Sequence, residues 1–351
     1  MSLLQKHLNG VETWVQDRGF DTPGAFGDPS AERAACSGGA ALVDFSHAGV
    51  IRVTGEQQKD FLSGLITNQI KRVSAAQGIY AAMLSPQGRF LWDFSILQSE
   101  VDGEPALLML TEPNGVGDLV GRLSMYLLRT KAALQNLSSE WGVLGVVGPE
   151  AAAKLAAVFP EVDLSSVELG GVCQPEAGVL VMRDPRHSGF GWRVVAAAEA
   201  LPGLWDRLAA HCIPCGFTAW EDYRIGEALP RGGSDLEQEH SLPLESGFVE
   251  MQGVDFNKGC YVGQETTART HHRGTIKRRL YRLSWQDEGV VEPAAQVLVG
   301  EKKEAGHITS VAPQSASALA LLRVSDVDSG KPLHVGELAV VAEKPNWAEW
   351  E

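Results

Sequence analysis

The C-terminal part of the chain most constrains the fold, because it lacks helical periodicity. After about residue 276 the sequence consists of strand-like runs between turn residues, namely RRLYRLSW, QVLVG, ALALLRV and ELAVVAE. Closely spaced short strands with turn signals are typical of small sandwiches and barrels. We therefore predict a C-terminal β-barrel domain over residues 276–351 and a separate body over residues 1–275.

In the body, predicted helices alternate with short predicted strands. Residues 78–98 indicate a hairpin whose turn is Ser85-Pro86-Gln87-Gly88, because Pro presets φ at the second turn position and Gly suits the fourth. The alternation favours α+β layers over a helical bundle. From apolar spacing and composition we predict helices over 3–15, 56–66 and 218–229, strands over 41–54, 142–147, 178–183 and 190–197, and mostly loop over 18–40.

Composition argues against several functional classes. The formal net charge of -14 disfavours broad binding to nucleic acid or to an anionic membrane. No run approaches the roughly 20 apolar residues that span a bilayer, and the N-terminus lacks the pattern of a secretory signal. The five cysteines are odd in number and widely spaced, which fits a reducing compartment. We predict a cytoplasmic protein without a membrane partner.

The most informative segment is KGCYVGQE, which consists of Lys258, Gly259, Cys260, Tyr261, Val262, Gly263, Gln264 and Glu265. Its glycines permit unusual backbone angles and close approach of a partner. Cations favour the thiolate, the form of cysteine that attacks or binds metal. A basic stretch follows directly, with Arg269, His271, His272, Arg273, Lys277, Arg278, Arg279 and Arg282. The alternative reading from the residues alone is a buried structural cysteine beside a solvated basic strand.

KGCYVGQE, followed by Thr267-Ala268-Arg269 and His272-Arg273-Gly274, resembles the signature of the YgfZ family of folate-binding proteins, which are related to the glycine-cleavage T-protein. The resemblance implies a T-protein-like folate-binding body with an appended β-barrel and a tetrahydrofolate or other reduced folate as cofactor. Further segments similar to the T-protein superfamily are Val43–His47, Ile51–Gly55, Leu84–Arg89, Tyr223–Ile225 and Gly306–Ser310.

The same resemblance implies a helper in the assembly or repair of iron–sulfur proteins, including the radical enzymes that thiomethylate transfer RNA. Cys260 would be its working, catalytic residue, and the rest of KGCYVGQE its supporting motif. The implied partners are iron–sulfur client or assembly proteins, with transfer RNA involved only indirectly. We interpret the basic stretch as a docking surface for such a partner.

The sequence departs from the superfamily pattern at two places. Aminomethyltransferases usually carry adjacent acids after the hairpin turn, whereas here Trp92 precedes Asp93. The superfamily's R-x-E-x-G, whose Glu reads the pterin edge, is replaced by Arg224-Ile225-Gly226-Glu227, and one residue rotates a helical side chain by about 100°. Either a local bulge brings Glu227 to the site, or folate recognition has changed. The candidate folate contacts are Asn68, Asp93, Glu227 and Arg231.

Other cysteines and histidines favour no metal site. The CxxC of Cys212 and Cys215 follows a predicted helix and has no second CxxC, so we interpret it as structural. His271 and His272, if on a strand, point to opposite faces. A stable iron–sulfur cluster normally needs about four protein ligands, so Cys260 is better interpreted as a transient ligand or a partner contact.

A second function class remains open at this point. The superfamily body is equally compatible with a tetrahydrofolate-dependent aminomethyltransferase or a related one-carbon transferase. The KGCYVGQE segment favours the accessory role, and Trp92 in place of an acid weakens the transferase.

Overall fold

The computed structural model describes residues 2–101, 103–272, 274, 276–300 and 303–350. The helices are α1 (Pro29–Gly38), α2 (Gln58–Ser63), α3 (Val116–Ser124), α4 (Ala151–Val158), α5 (Leu201–Ala209), α6 (Phe217–Gly226), α7 (Gln264–His272) and α8 (Val324–Val327). The strands of the body are β1 (Thr13–Asp17), β2 (Phe20–Ala25), β3 (Ala41–Asp44), β4 (Gly49–Thr54), β5 (Ile79–Leu84), β6 (Phe90–Val101), β7 (Glu104–Thr111), β8 (Ala133–Asn136), β9 (Trp141–Val147), β10 (Val172–Glu176), β11 (Val179–Arg183), β12 (Trp192–Ala197) and β13 (Ile213–Cys215). The strands of the C-terminal part are β14 (Arg278–Ser284), β15 (Gln296–Val299), β16 (Lys303–Val311), β17 (Ser317–Arg323), β18 (Leu333–Val335) and β19 (Leu338–Glu343).

Two sheets form the body. One has the order β5-β6-β7-β4-β8 and the other β10-β11-β12-β9-β3-β13. Their facing surfaces share one apolar cluster, in which Val50 and Leu108 of the first sheet meet Val143, Leu180 and Val195 of the second. Burying this shared surface fixes how the sheets stack, and the central cavity described below lies beside the cluster.

The C-terminal strands close into a six-stranded barrel in the order β14-β17-β16-β15-β18-β19, with β14 also paired to β19. Its interior holds alternating apolar side chains, among them Leu283, Val297, Ile308 and Leu322. The predicted mixed α and β architecture with a C-terminal barrel is therefore confirmed. The boundary at residue 275 remains a prediction; it falls between α7 and β14.

The predicted β5–β6 hairpin turn is present. The Gly88 N–H donates to Ser85 O at 2.8 Å, and Gly88 has φ +78°, a left-handed conformation that favours glycine. In the hairpin register, Asp93 lies opposite Ala82. The turn therefore fixes which face of β6 carries Asp93.

The sequence predictions for residues 3–40 are wrong. β1 begins at Thr13, inside the predicted helix over 3–15, and pairs with β2, which lies inside the predicted loop over 18–40. The rest of that loop is α1, which begins after Asp28, whose side chain accepts the Ser30 N–H, with Pro29 in its first turn. Pairing of β1 with the adjacent β2 overrides the local helical spacing, and the Asp28-Pro29 pair provides the start of α1.

Buried polar contacts join the body to the barrel. Arg224 of α6 donates to Asp235 Oδ2 at 2.8 Å, and Asp235 Oδ1 accepts from Ser310 and Thr309 of β16 at 2.7 and 2.6 Å. Asp222 of the same helix accepts two backbone N–H groups of the β16–β17 turn. These bonds orient the barrel against α6. Within the described part of the chain, no helix has the length and apolar character needed to cross a membrane.

Candidate functional site

A cavity of about 100 Å³ lies in the middle of the body. Aromatic rings form much of its wall, and they come from the first sheet, from α6 and from loops beside the second sheet. Its lining includes Phe45, His47, Tyr80, Asp93, Glu112, Arg186, Phe190, Arg193, Trp220, Arg224 and Arg231. A mostly apolar wall with a few convergent charged groups is the usual character of a small-molecule site.

Asp93 is buried in the wall of this cavity, at the position that the sequence predicts for the surviving acid. The Tyr80 hydroxyl donates to Asp93 Oδ2 at 2.8 Å. Burial, followed by the nearby Glu112 carboxylate, raises the pKa of Asp93. A Cβ at Gly232 would overlap Asp93 Oδ1, so only glycine at that position leaves room for the carboxyl. Asp93 is therefore a buried acid of the cavity wall and not a solvated acid on the face of a strand.

Arg231, also predicted from the sequence, is the centre of an ion-pair network at the cavity. Its Nη2 lies 2.6 Å from both Asp17 Oδ2 and Glu112 Oε2. His47 Nε2 lies 2.8 Å from the same Asp17 oxygen. Burial acts to raise the pKa of Asp17, but the His47 hydrogen bond and the Arg231 charge outweigh it and hold that pKa well below its usual range. Asp17 therefore stays ionised and orients two side chains of the cavity wall.

Two guanidinium groups enter the cavity from the side of the second sheet: Arg186 follows β11, and Arg193 lies on β12. Arg186 pairs with Asp184 at 2.8 Å and stacks on the Phe190 ring at 3.5 Å. Arg193 also approaches Asp184, at 3.3 Å. Two guanidinium groups share one carboxylate here, so this wall has an excess of positive charge suited to an anionic group.

Two of the four predicted folate contacts lie elsewhere. Asn68 Nδ2 donates to the carbonyls of Tyr80 and Gln252, each at 2.7 Å, which commits its amide to tying β5 to that segment. Glu227 follows the end of α6, is exposed, and lines an outer groove with His187. No bulge turns Glu227 toward the central cavity. The structure brings together Asp93 and Arg231 but leaves Asn68 and Glu227 outside their cavity.

A groove of about 330 Å³ adjoins the cavity and shares Asp93, Thr111 and Glu112 with it. Trp92 lines this groove, so the residue that replaces the first acid of the superfamily pair stands at the approach to Asp93. The approach is therefore bulkier and less acidic than an acid pair would make it.

Cys260 lies in a loop outside the cavity and is exposed, whereas Cys36, Cys212 and Cys215 are buried and Cys173 is half-buried. None of the residues 258–265 lines the central cavity. The loop docks on the β5–β6 hairpin instead. Gly263, at φ +84°, packs so closely that a Cβ there would lie 2.5 Å from Ser85 O. The reading of Cys260 as a buried structural cysteine is therefore wrong.

The rest of the KGCYVGQE segment holds its own backbone in place. Gln264 begins α7 and accepts the Tyr261 N–H at 3.2 Å, while Glu265 on the first turn is exposed. The Lys258 ammonium donates to backbone carbonyls of the α2 end, not to a group at the thiol. Among the described residues, the Lys258 ammonium makes no hydrogen bond to the Cys260 sulfur.

The basic stretch differs from the sequence prediction. His271 and His272 lie on α7 and not on a strand, and His271 stacks on Phe256 at 3.7 Å. Arg279 pairs with Glu250 and Arg282 pairs with Glu343, so both charges are partly neutralised. Arg273 lies outside the described residues. The exposed cations of this stretch include Arg269 and Lys277.

The CxxC cysteines lie apart from any site. Burial raises the pKa of Cys212 to about 11. Cys215 Sγ lies 3.7 Å from Cys36 Sγ in the core, and this contact, with burial, raises the pKa of Cys215. Within the described ranges, no group of three His, Cys, Asp or Glu residues is arranged to hold a metal ion.

Sequence reasoning missed most of the polar cavity wall. Asp17, Glu112 and Arg186 come from three separate regions of the chain, and no local motif marks them. One usable signal was Arg193, a charged residue inside the apolar run WRVVAA of β12. Lys, Arg and acids are seldom buried without a partner, so such a residue suggests a polar interior site.

Comparisons with known proteins agree with this geometry. The model of the GCVT N-terminal domain matches residues 5–254, and that of the CAF17 C-terminal beta-barrel domain matches residues 277–350. The solved structure of aminomethyltransferase T of the glycine cleavage system from Bartonella henselae superposes with a TM-score of 0.82 over 99% of this chain and 96% of that one. At 17% identity, this likeness shows a shared fold only.

Two relatives with higher sequence identity to this chain narrow the family further. The human mitochondrial iron–sulfur cluster assembly factor IBA57 is 32% identical over 355 residues, covering 92% of this chain and 87% of that protein. Its mouse counterpart is 32% identical over 321 residues, covering 85% and 82%. The predicted relation to the glycine-cleavage T-protein is confirmed, whereas these relatives carry the name IBA57 and not YgfZ. The chain belongs to the GCVT N-terminal domain family and, within it, to the group of the IBA57 iron–sulfur cluster assembly factors.

Proposed function

We propose that this chain is an accessory protein for iron–sulfur protein assembly that works through Cys260 and binds a reduced folate in the central cavity. The observation that carries the proposal is the exposure of Cys260 on a docked loop, while the other four cysteines are buried or half-buried. An exposed thiol is available to a partner's cluster or cluster ligands. The IBA57 relatives, named as iron–sulfur cluster assembly factors, support this role.

A reduced folate fits the chemistry of the central cavity. A flat ring can pack on Trp220, and the Asp93 carboxyl can accept from ring N–H and amine donors. Arg186 and Arg193, with one carboxylate between them, suit the acidic tail of a folate. Bound there, tetrahydrofolate would supply the chemistry of a one-carbon carrier. We propose Asp93 and Arg231 as folate contacts and assign no contact to Asn68 or Glu227.

Clients and compartment are further parts of the proposal. The radical enzymes of transfer RNA thiomethylation are proposed clients, so transfer RNA would be affected only through them. The net charge of -14 agrees with the absence of direct transfer RNA binding. The relatives are named as mitochondrial, which does not match the predicted cytoplasmic location. That location remains a prediction for this chain.

The accessory role is tested in a deletion strain lacking the chain or its counterpart. We expect low activity of several iron–sulfur enzymes and reduced thiomethylated transfer RNA, both restored by the wild-type gene. Normal iron–sulfur enzyme activities in the deletion strain would contradict the role.

Folate binding is tested separately on the purified protein. A ligand that binds only the folded state stabilises it by RT ln(1 + [L]/Kd). We expect saturating tetrahydrofolate to raise the melting temperature, and Asp93→Asn to reduce the shift. Calorimetry and melting curves that both show no effect up to millimolar tetrahydrofolate would remove folate from the proposal.

The second candidate is a tetrahydrofolate-dependent aminomethyltransferase, favoured by the burial of Asp93 beside Tyr80 in the cavity. The test is incubation with tetrahydrofolate and aminomethyl lipoamide. Methylene-tetrahydrofolate formation that is lost in Asp93→Asn but kept in Cys260→Ser would establish the transferase in place of the accessory role.

A further inference from the structure

Lys258 is buried, although it lies two residues before the exposed Cys260. Its Nζ donates to Ile66 O at 2.6 Å and to Ser63 O at 2.7 Å, and lies 4.6 Å from the centre of the Tyr261 ring. Burial lowers the pKa of Lys258 to about 8. The ammonium is therefore enclosed between the end of α2 and its own segment.

The two carbonyls that Lys258 contacts lie at the end of α2 and three residues beyond it. Ser63 is the last residue of α2, where carbonyls lack partners inside the helix. A lysine ammonium is a favourable partner for such carbonyls. Lys258 therefore satisfies the Ser63 carbonyl at the helix end and the Ile66 carbonyl three residues beyond it, and this ties the segment to the C-terminal end of α2.

A second bond attaches the segment on the other side of the thiol. The Val262 N–H donates to Gly64 O at 3.1 Å, directly after the Ser63 carbonyl. Between the two attachments the chain is loosely packed, since a Cβ at Gly259 would meet nothing within 4 Å. Cys260 is thus held by Lys258 before it and Val262 after it, and by little in between.

We infer that Lys258 is a positioning residue for Cys260. The Lys258 ammonium fixes the position of the thiol by binding the carbonyls of Ser63 and Ile66, and not by a direct effect of its charge on the sulfur. The inference rests on the proposed function of Cys260. It adds that a partner meets the thiol in one fixed place. Without the ammonium, the Val262 bond to Gly64 would be the one hydrogen bond among the described residues that ties this loop to the end of α2, and the thiol would sample many positions.

The test compares Lys258→Met with Lys59→Met in the full chain. Lys59 is a matched control, because its Nζ also donates to a backbone carbonyl, that of Val73 at 2.7 Å, but it holds no part of the Cys260 loop. In Lys258→Met we expect amide hydrogen exchange of residues 259–262 to rise at least about tenfold. Complementation of the deletion strain should fall, while Lys59→Met behaves as wild type in both measurements.

Two further readouts separate positioning from other roles. The pH midpoint of Cys260 alkylation should be the same in Lys258→Met and wild type, because the ammonium acts on carbonyls. Lys258→Arg, which retains charged donors, should recover at least part of the complementation. Unchanged exchange at 259–262, or an alkylation midpoint that moves to higher pH, would overturn the inference. If Cys260→Ser itself complements fully, the proposed function fails, whatever the exchange data show.

Discussion

Gly263→Ala is expected to destabilise the protein at the point where the Cys260 loop meets the β5–β6 hairpin. Gly263 has φ +84°, and an added Cβ would lie 2.5 Å from Ser85 O and 2.9 Å from Leu84 Cβ. The left-handed backbone costs a residue with a Cβ about 1–2 kcal/mol, and overpacking against a neighbour about 1–3 kcal/mol. Together these terms lower the free energy of unfolding by about 3 kcal/mol.

Urea titration followed by circular dichroism measures this loss, with Gly259→Ala as the matched control. Gly259 lies four residues earlier in the same segment, and its added Cβ would meet nothing within 4 Å. The control should lose less than about 0.5 kcal/mol. A wild-type midpoint for Gly263→Ala, or equal losses in the two variants, would refute the close packing of Gly263 on the hairpin.

Three further predictions concern the cavity and the core. Gly232→Ala should displace the Asp93 carboxyl, because the new Cβ overlaps Asp93 Oδ1. Calorimetry should then show tetrahydrofolate binding weakened at least about tenfold. Wild-type affinity in this variant would argue against Asp93 as a folate contact. Asp17→Asn should cost about 3 kcal/mol at pH 7 by breaking the buried pair with Arg231. The pKa of Asp17 is lower in the folded state than in the unfolded state. The stabilisation is therefore fully present at pH values above the ordinary Asp pKa near 4, and it is lost as the pH falls toward the folded-state pKa. Urea titrations of the variant and the wild type should therefore converge in strong acid. Cys212→Ser buries a hydroxyl in an apolar cluster and should lower the free energy of unfolding by about 1–3 kcal/mol. The variant should nevertheless complement the deletion strain. Loss of complementation by a folded variant would give Cys212 a functional role.

Local chemistry made part of the fold predictable. The Ser85–Gly88 turn was predicted because Pro and Gly restrict backbone angles within four residues, and the structure contains that turn. The barrel was predicted because period-two patterning and turn residues recur along its strands. By contrast, β1 forms only because β2 pairs with it, and this interaction is absent from the helical spacing of residues 3–15.

Sequence motifs supplied two of the candidate site residues. The KGCYVGQE segment indicated Cys260, and the resemblance to the acid pair that follows the hairpin turn indicated Asp93. The network of Asp17, Glu112 and Arg231 joins positions far apart in the chain, which no local pattern reveals. The direction of Glu227 depends on the exact end of α6, and a shift of one residue at a helix end changes which surface a side chain faces.

The most direct test of the central claim is complementation of the deletion strain by Cys260→Ser, with melting curves of the purified variant. The substitution is close to isosteric at an exposed position, so the melting temperature should match wild type. Cys173→Ser, at the half-buried cysteine, is the matched control and should complement. The account predicts that Cys260→Ser folds normally and fails to restore iron–sulfur enzyme activity. Full restoration by Cys260→Ser, or a failure explained by loss of folding, would contradict it.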